Sequence, residues 1–349
     1  MEKQIKKVLE EIEKNGFLAY LVGGYVRDYL LGKKSFDIDI CTNALPKDVR
    51  KIFGSNKSNY GCVNIKLNKY NIDITTFRKD LNYVSRKPSE VVYVESLEED
   101  LLRRDFTINA ICMNKSGKVI DLLGGINDLN NRLIRMIGDE DVKLVEDPLR
   151  ILRAIRFATI LDFEIDTKLY EGLKKYSYLV KDLSKTRIKS ELDKILLSKN
   201  FQKGLDLIKE LEIHKYINID FDEVYFVDDL LGMWAQIKSH DMPFTNLEKS
   251  NIIKLTGIIK YGKIDNFVLY KYGLYLSVIA GKVLNVSVKD INKLYNKLPI
   301  KSRSDIDIDV KYLGSGKMIN ENFLDLEEKI LTNRLKNKSK DIKNYLERK

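Results

Sequence analysis

Cysteine is scarce in this chain of 349 residues, which has only Cys41, Cys62 and Cys112. No two of them lie close together in the sequence. This spacing is typical neither of the disulfide framework of a secreted domain nor of the paired ligands of a zinc site. We therefore expect a protein of a reducing compartment, the cytoplasm.

Histidine is scarcer still, with only His214 and His240. A phosphohydrolase of the His-Asp type needs several such ligands around its metal. Because His240 is followed by Asp241, a hydrolase acting through these two residues is kept as a rival hypothesis. His214 is expected at the end of a helix.

The chain also lacks an apolar run of membrane-spanning length, a low-complexity linker and an internal repeat, and it has five prolines. Its first segment, 1–16, mixes glutamate with lysine and places Ile5, Leu9 and Ile12 at helical spacing. This pattern predicts an amphipathic helix and not a signal peptide. We expect no membrane partner.

Positive charge is in excess: 61 lysines and arginines against 51 acidic residues give a formal charge of +10, with a pI near 9.1. This balance favours a polyanionic partner, because neutralised phosphates supply much of a protein's affinity for nucleic acid. Biased codon usage is the alternative explanation for a chain rich in lysine.

A glycine pair and two alternating aspartates lie within one short segment. Gly23 and Gly24 have no Cβ, so their backbone can approach a triphosphate closely, and Arg27 can donate charge-assisted hydrogen bonds to it. Asp37 and Asp39 follow in a strand-like run, where residues two apart point to the same face. Carboxylates so placed can hold hard divalent ions, which usually means Mg²⁺. The combination predicts metal-dependent nucleotidyl transfer.

Two further segments carry polar side chains suited to this chemistry. Asp73 alternates with apolar residues in a predicted strand and could stand as a third carboxylate, or simply be exposed on that strand. RRDFTINA, at 103–110, places two guanidinium groups, a carboxylate and an amide before an apolar strand. This suits binding of triphosphate and ribose, because a carboxylate can accept from a ribose 2′-hydroxyl. A surface ion pair explains the Arg-Asp dipeptide equally well in isolation.

The segment EDPLRILRAIRFA, at 146–158, predicts a helix with Asp147 as its N-cap and Pro148 as its first residue. Three arginines spaced by three then fall near one face: Arg150, Arg153 and Arg156. Like charges on one face repel each other. A solvated stripe of arginines is therefore tolerated but not favoured.

Strand-like and helix-like patterns divide the chain. Strands are predicted at 17–22, 36–40, 63–67, 72–77, 91–94 and 108–113, among short helices. From about 139 onward apolar residues recur at helical spacing with few strand-like runs. The fold class predicted is α+β.

The first motif, GGYVRDYLLG at 23–32 followed by the Asp37–Asp39 pair, resembles that of the class II tRNA nucleotidyltransferases and bacterial poly(A) polymerases. RRDFTINA resembles the family's second motif, in which Arg104 would hold phosphate and Asp105 would read the sugar. Residues 187–192 resemble its last motif, for which we expect a structural role, and 298–302 resemble the tail of Gram-positive members. The resemblance implies a polymerase β-like head with a mixed β-sheet, at 1–138, then all-helical neck, body and tail, at 139–200, 201–265 and 266–349.

The resemblance also implies residue roles. The catalytic set would be Asp37, Asp39 and Asp73, with Mg²⁺ on the first two. Asp147 and Arg150 would hydrogen-bond the Watson–Crick edge of the incoming base. Arg153 and Arg156 would face the triphosphate or the primer end. The nucleotide-binding residues expected are Gly23, Gly24, Arg27, Arg104, Asp105, Asn109, Asp147, Arg150, Arg153 and Arg156.

The implied activity is template-independent addition of CCA to the 3′ end of tRNA from CTP and ATP, with release of pyrophosphate. The tRNA 3′-hydroxyl would attack the α-phosphate. The helical part would grip the acceptor and T stems by their A-form shape.

Two segments bear on which family member this is. YGCV, at 60–63, resembles a run of Gram-positive CCA-adding enzymes and not the basic segment of poly(A) polymerases. The segment 82–88 is slightly shorter than usual and lacks the family's customary aspartate. It corresponds to a loop that helps the site switch from CTP to ATP, so addition of CC alone, or of A alone, is the main alternative. The remaining alternatives are a poly(A) polymerase and a catalytically silent RNA-binding protein. A silent protein would be expected to have lost the acidic residues, whereas Asp37, Asp39 and Asp73 are all present.

Overall fold

The computed structural model describes residues 2–54, 58–59, 61–84 and 87–348. The chain forms two compact units, Met1–Ile217 and Asn218–Lys349. In the described ranges, no helix has both the length and the apolar character needed to cross a membrane. The finer division into head, neck, body and tail stays a prediction.

Among the described residues, a seven-stranded mixed sheet forms the centre of the first unit. Its strands are β1 (Ala19–Val22), β2 (Asp37–Thr42), β3 (Ser58–Asn59), β4 (Cys62–Leu67), β5 (Tyr70–Thr76), β8 (Cys112–Met113) and β9 (Val119–Ile120), while β6 (Arg78–Val84) and β7 (Lys87–Tyr93) form a separate antiparallel hairpin. The strand order is β3-β4-β5-β2-β1-β8-β9. Strands β2 and β5 are parallel, and the other neighbours are antiparallel.

Alternation along β2 decides which face of the sheet carries the acidic residues. Ile38 and Ile40 are each 1% exposed in the core, whereas Asp37 and Asp39 point to the open face. Because successive strand residues point to opposite faces, burial of the isoleucines places both carboxylates on the other side.

Five helices belong to the same part of the chain: α1 (Lys3–Lys14), α2 (Gly24–Leu30), α3 (Pro46–Phe53), α4 (Leu97–Leu102) and α5 (Gly125–Asn130). Helix α1 buries Ile5, Val8, Leu9 and Ile12, which confirms the predicted amphipathic helix. Cys41 and Cys112 are buried with their thiols free, so these cysteines act as small apolar side chains.

The rest of the first unit is helical, with one short parallel ladder between β10 (Leu133–Ile134) and β11 (Glu164–Ile165). Its helices are α6 (Glu140–Glu146), α7 (Leu149–Leu161), α8 (Thr167–Tyr176), α9 (Lys185–Leu196), α10 (Phe201–Glu210) and α11 (Ile213–Tyr216). Helix α7 buries an apolar stripe that includes Ile151, Leu152 and Ile155, and it packs against α9 and α10. His214 lies in the short helix α11, as predicted.

The second unit is also mainly helical. Its helices are α12 (Leu230–Trp234), α13 (Asn246–Tyr261), α14 (Asn266–Val283), α15 (Val288–Asn296), α16 (Lys317–Leu331) and α17 (Ser339–Glu347), and β12 (Ile219–Asp220) pairs with β13 (Lys238–Ser239). One core cluster of this unit includes Leu313, Leu326 and Ile342. The predicted α+β class and the mainly helical remainder are confirmed. The remainder is not entirely helical, because it also contains the short strand pairs β10–β11 and β12–β13.

Two local predictions were wrong. The strand expected at 108–113 is reduced to Cys112–Met113, because Thr107–Asn109 forms a 3₁₀ turn closed by the hydrogen bond from Ala110 N to Thr107 O. Asp147 is not the N-cap of α7. That position belongs to Pro148, although the Asp147 carboxylate still accepts from the Leu149 N–H at 3.2 Å.

Candidate active site

The three predicted catalytic carboxylates lie on one face of the sheet. Asp39 on β2 is in register with Asp73 on the parallel strand β5, and Asp37 is in register with Asn71. Register partners in neighbouring strands point to the same side. Asn64 on β4 donates from Nδ2 to Asp73 Oδ1 at 2.5 Å, which fixes the orientation of that carboxylate.

The electrostatics of Asp39 favour a cation beside it. Desolvation raises the pKa of this carboxyl, and the nearby Asp73 and Asp37 raise it further, against the opposing effect of Arg104 and Arg153. The three carboxylates therefore concentrate negative charge at Asp39, which a bound cation would neutralise.

The donor set suits Mg²⁺ that is shared with a substrate. Across the described residues, no cluster of three or more histidine, cysteine, aspartate or glutamate side chains could hold a metal ion by itself. Mg²⁺ is usually bound through one or two carboxylates together with water and substrate phosphates. Asp37 and Asp39, two apart on an open strand face, fit that kind of site.

Gly23 connects the glycine pair to these carboxylates. Its backbone has φ 76° and ψ −144°, a region that only glycine adopts readily. A Cβ added there would lie 2.9 Å from Asp39 Oδ2. Glycine is thus required both by the turn into α2 and by the close approach of Asp39.

A cavity of about 620 Å³ opens beside Asp39 within the first unit. Ten residues predicted from the sequence line it: Gly23, Gly24, Arg27, Asp39, Arg104, Asp105, Asn109, Asp147, Arg150 and Arg153. Asp37, Asp73 and Arg156 are not part of this lining. Residues to which the sequence assigned no individual binding role also line it: Arg78, Asp80, Val91, Arg103, Leu149, Phe157 and Arg187.

The side chains that were predicted for phosphate and ribose already have protein partners. Arg27 donates from NH1 to Asn109 Oδ1 at 2.7 Å and from Nε to Asp28 at 2.9 Å. Asp105 is 8% exposed, and its Oδ2 accepts from Nε of Arg153 at 2.8 Å. Its Oδ1 accepts from the Phe106 N–H. Arg27, Asn109, Asp105 and Arg153 therefore form one hydrogen-bonded chain, because Asn109 also donates to Asp105.

The charge of Asp105 is stabilised in spite of burial. Desolvation acts to raise the pKa of this carboxyl, but Arg153 and the hydrogen bonds from Phe106 and Asn109 hold it below its usual value. A ribose hydroxyl that reaches Asp105 would have to share the carboxylate with Arg153 or displace it.

Each of the three arginines of α7 has a hydrogen-bond acceptor or a carboxylate as its partner. These partners offset the charge repulsion expected among three arginines on one helical face. Arg150 donates to Lys143 O at 2.6 Å and to Glu146 at 3.3 Å. Arg153 pairs with Asp105, as described above. Arg156 lies 3.0 Å from Glu191 of α9, and both are buried, so the segment 187–192 supports α7 as expected of a structural motif.

The aromatic ring of Phe157 packs against three arginines, two from α7 and one from α2. Phe157 lies under the guanidinium carbons of Arg156, Arg27 and Arg153, at 4.2, 5.3 and 5.5 Å from the ring centroid. Its edge contacts Phe106, with the centroids 5.7 Å apart. The ring quadrupole attracts each of these cations.

The rival hydrolase finds no support. Asp241 accepts a hydrogen bond from Asn218 at 2.9 Å, and the part of the chain that is described holds no histidine-aspartate metal cluster. Tyr60 of the 60–63 segment and residues 85–86 of the 82–88 segment lie outside the described residues.

Comparison with known proteins bears directly on the family. The model of the poly A polymerase head domain matches residues 19–135, and that of the probable RNA and SrmB-binding site of polymerase A matches 162–223. The chain is 35% identical to the CCA-adding enzyme of Ligilactobacillus salivarius over 94% of its own length and 92% of that protein. It is 36% identical to the CCA-adding enzyme of Staphylococcus aureus over 85% of its length and 70% of that protein.

The chain belongs to the CCA-adding enzyme family. Membership confirms the resemblance seen in the motifs, including its Gram-positive character, since both relatives come from Gram-positive bacteria.

Solved structures confirm the fold. The CCA-adding enzyme of Bacillus stearothermophilus in complex with CTP superposes with a TM-score of 0.83 at 24% identity, covering 100% of this chain and 98% of that one. The Thermotoga maritima CCA-adding enzyme complexed with tRNA gives a TM-score of 0.72 at 23% identity, over 100% of this chain and 96% of that one.

The cavity residues that sequence reasoning missed had only weak signals. Arg103, Phe157 and Arg187 stand inside motifs already singled out, yet nothing in the sequence alone says that they reach the cavity. Arg78 and Asp80 lie on β6, which was not predicted as a strand.

Proposed function

We propose that this protein adds CCA to the 3′ end of tRNA, using CTP and ATP and releasing pyrophosphate. The observation that carries this is the cavity of the first unit, in which the Asp39 carboxylate, the Gly23 turn and several guanidinium groups converge. Near full-length similarity to an enzyme named for CCA addition supports the same activity.

Each group in the cavity has a chemical task. Gly23 and Gly24 admit the triphosphate close to the backbone, and Arg27 and Arg104 neutralise its charge. Asp105 accepts from the ribose hydroxyl. Catalysis then depends on holding the tRNA 3′-hydroxyl in line with the α-phosphate, so no protein nucleophile is needed.

Asp37 and Asp39 would hold Mg²⁺, with Asp73 beside them. Bound there, the ion would supply Lewis-acid neutralisation of the triphosphate. Asn64 keeps the Asp73 carboxylate aimed by the 2.5 Å hydrogen bond, and Gly23 keeps the Asp39 carboxylate accessible by leaving space for Oδ2.

Base selection is assigned to Asp147 and Arg150. The carboxylate of Asp147 accepts from the Leu149 N–H, and Arg150 donates to Lys143 O. A base that presents a matching donor and acceptor edge would exchange with these partners. Protein side chains would thereby take the place of a nucleic-acid template.

The neck, body and tail, at 139–200, 201–265 and 266–349, would grip the acceptor and T stems of tRNA. The net charge of +10 of the whole chain supports an RNA partner, since phosphate neutralisation is the sequence-independent part of RNA affinity. The free cysteines fit work in the cytoplasm.

The test uses three tRNA transcripts that end before the first C, after one C and after two, each given Mg²⁺ with CTP, with ATP and with both. Extension of all three to CCA is the expected result. Arrest at CC would show a partner enzyme that needs a separate A-adding protein, addition of A to the CC end alone would show that A-adding enzyme, and long adenosine tails would show a poly(A) polymerase.

Binding of tRNA without extension would indicate the catalytically silent protein and would overturn the proposal. Asp39→Ala serves as the matched negative control, because it removes one of the carboxylates proposed to bind Mg²⁺ and leaves the helical part, at 139–349, unchanged.

A further inference from the structure

Asp100 is a fully buried carboxylate in α4 with 0% exposure, close to the cavity but not part of its lining. It accepts hydrogen bonds from three arginines. Oδ1 accepts from the backbone N–H of Arg78 at 3.2 Å and from Nε of Arg103 at 2.9 Å, and Oδ2 accepts from NH2 of Arg104 at 3.1 Å. One negative charge thus sits between two neighbouring guanidinium groups.

Both guanidinium groups line the main cavity beside Asp39. Together with Arg78 they also line a smaller cavity of about 290 Å³ that Asp39, Cys62 and Thr75 share. Arg103 and Arg104 follow directly after the end of α4. Adjacent guanidinium groups repel each other, so the turn alone would not keep both directed toward the same cavity. Their common contact with Asp100 is what keeps them together.

Arg78 adds a second connection. It is the first residue of β6, and its guanidinium pairs with Asp80 at 3.1 Å. The hydrogen bond from its N–H to Asp100 therefore ties the base of the β6–β7 hairpin to the same carboxylate that holds Arg103 and Arg104.

Arg104 has capacity left for a ligand. Its side chain pairs with Asp100 through one nitrogen and keeps 16% exposure, and it lines the cavity. An anion in the cavity can therefore approach the guanidinium and accept a charge-assisted hydrogen bond. A triphosphate oxygen is the anion that the cavity would bring there.

We propose that Asp100 is a positioning residue for nucleotide binding, which orients Arg103 and Arg104 toward the triphosphate and links them to the hairpin. It contacts no reacting atom and acts through the two arginines. This role rests on the proposed addition of nucleotides to tRNA.

The test is steady-state CTP addition to a tRNA that ends before the first C, measured for the wild type and for Asp100→Asn. Asparagine keeps the shape and an acceptor for the Arg78 N–H but removes the charge that both guanidinium groups share. Loss of charge-assisted contacts to a ground-state ligand raises the KM for CTP by about tenfold or more, with kcat changed much less.

Asp128→Asn is the matched control. Asp128 is also a buried carboxylate, at 3% exposure, and it accepts from Thr107 Oγ1 at 2.7 Å and from Nε of Arg135 at 3.2 Å, outside the cavity lining. It is expected to lower the melting temperature without raising the KM for CTP. An equal KM increase in both variants, or an unchanged KM in Asp100→Asn, would overturn the role of Asp100.

A second comparison covers the case in which Asp100→Asn does not fold. Arg103→Gln/Arg104→Gln removes both guanidinium groups, and the triple variant that adds Asp100→Asn also removes the buried charge that the double variant leaves unpaired. If Asp100 acts through the arginines, the two have the same KM for CTP. A clearly higher KM in the triple variant would overturn the proposal. A wild type that adds no nucleotide would instead disprove the proposed function.

Discussion

Replacement of Gly23 by alanine tests whether the missing side chain at this position is what allows the Asp39 carboxylate to take its catalytic position. An alanine Cβ at this position would lie 2.9 Å from Asp39 Oδ2, whereas ordinary contact begins at 3.4 Å. The carboxylate oxygen therefore has to move by 0.5 Å, the difference between these two distances.

Two costs follow from the substitution. An L-residue at φ 76° and ψ −144° is strained, which lowers the free energy of unfolding by about 1–3 kcal/mol. Displacement of Asp39 lowers catalysis as well. A shift of 1 Å can cost about a hundredfold in rate, so half that shift predicts a loss of about tenfold in kcat.

The assay is kcat for CTP addition at saturating tRNA and CTP, with unfolding measured in parallel. Gly32→Ala is the matched control, because Gly32 has φ 70° but no atom within 4 Å of the added Cβ. It carries the backbone strain without the clash, so we expect reduced stability and unchanged kcat. A Gly23→Ala enzyme with the kcat of Gly32→Ala would falsify the coupling between the glycine turn and Asp39.

Further predictions concern the same cavity. Asp39→Ala is expected to abolish nucleotide addition while leaving tRNA affinity unchanged in a filter-binding assay, and persistent addition would rule out the metal assignment. Phe157→Leu removes a ring that three guanidinium groups share, at about 0.5–1 kcal/mol each, so the KM for CTP should rise, whereas Phe157→Tyr should restore it. Asp105→Asn should lower the free energy of unfolding by about 2–3 kcal/mol at neutral pH, less than the ~3–5 kcal/mol of a fully buried pair, because Arg153 is 33% exposed. Since the pKa of Asp105 is lowered in the folded state, this stabilisation is complete above the ordinary value of 3.8 and is lost as the pH falls below it. Urea unfolding of both proteins from pH 6 downward checks this, and a difference that persists unchanged below that value would contradict it.

Much of the site could be predicted because its signals are local. The alternation of Asp37 and Asp39 with Ile38 and Ile40 predicts one acidic face, and burial of the isoleucines confirms it. Asp73 could be placed only as a candidate. Its position beside Asp39 depends on the parallel pairing of β2 with β5, which is a long-range contact.

The predictions that differed depend on such long-range contacts as well. Residues 108–110 are apolar enough for a strand, but Asn109 is drawn into the cavity by Arg27 and Asp105, and the backbone turns there. Arg156 shares the helical face of Arg153 by spacing, yet it pairs with Glu191 and does not line the cavity.

By itself, the sequence determined the chemistry that is available and its local geometry. Spacing by two on a strand puts two carboxylates on one face, and the absence of a Cβ at Gly23 permits a close approach, because both effects act within a few residues. Only the tertiary structure decided which charged side chains pair with each other. Asp105 meets Arg153, 48 positions away, and Asp100 holds Arg103 and Arg104 to the base of a hairpin, because buried charges are paired by whichever groups packing brings within hydrogen-bond distance.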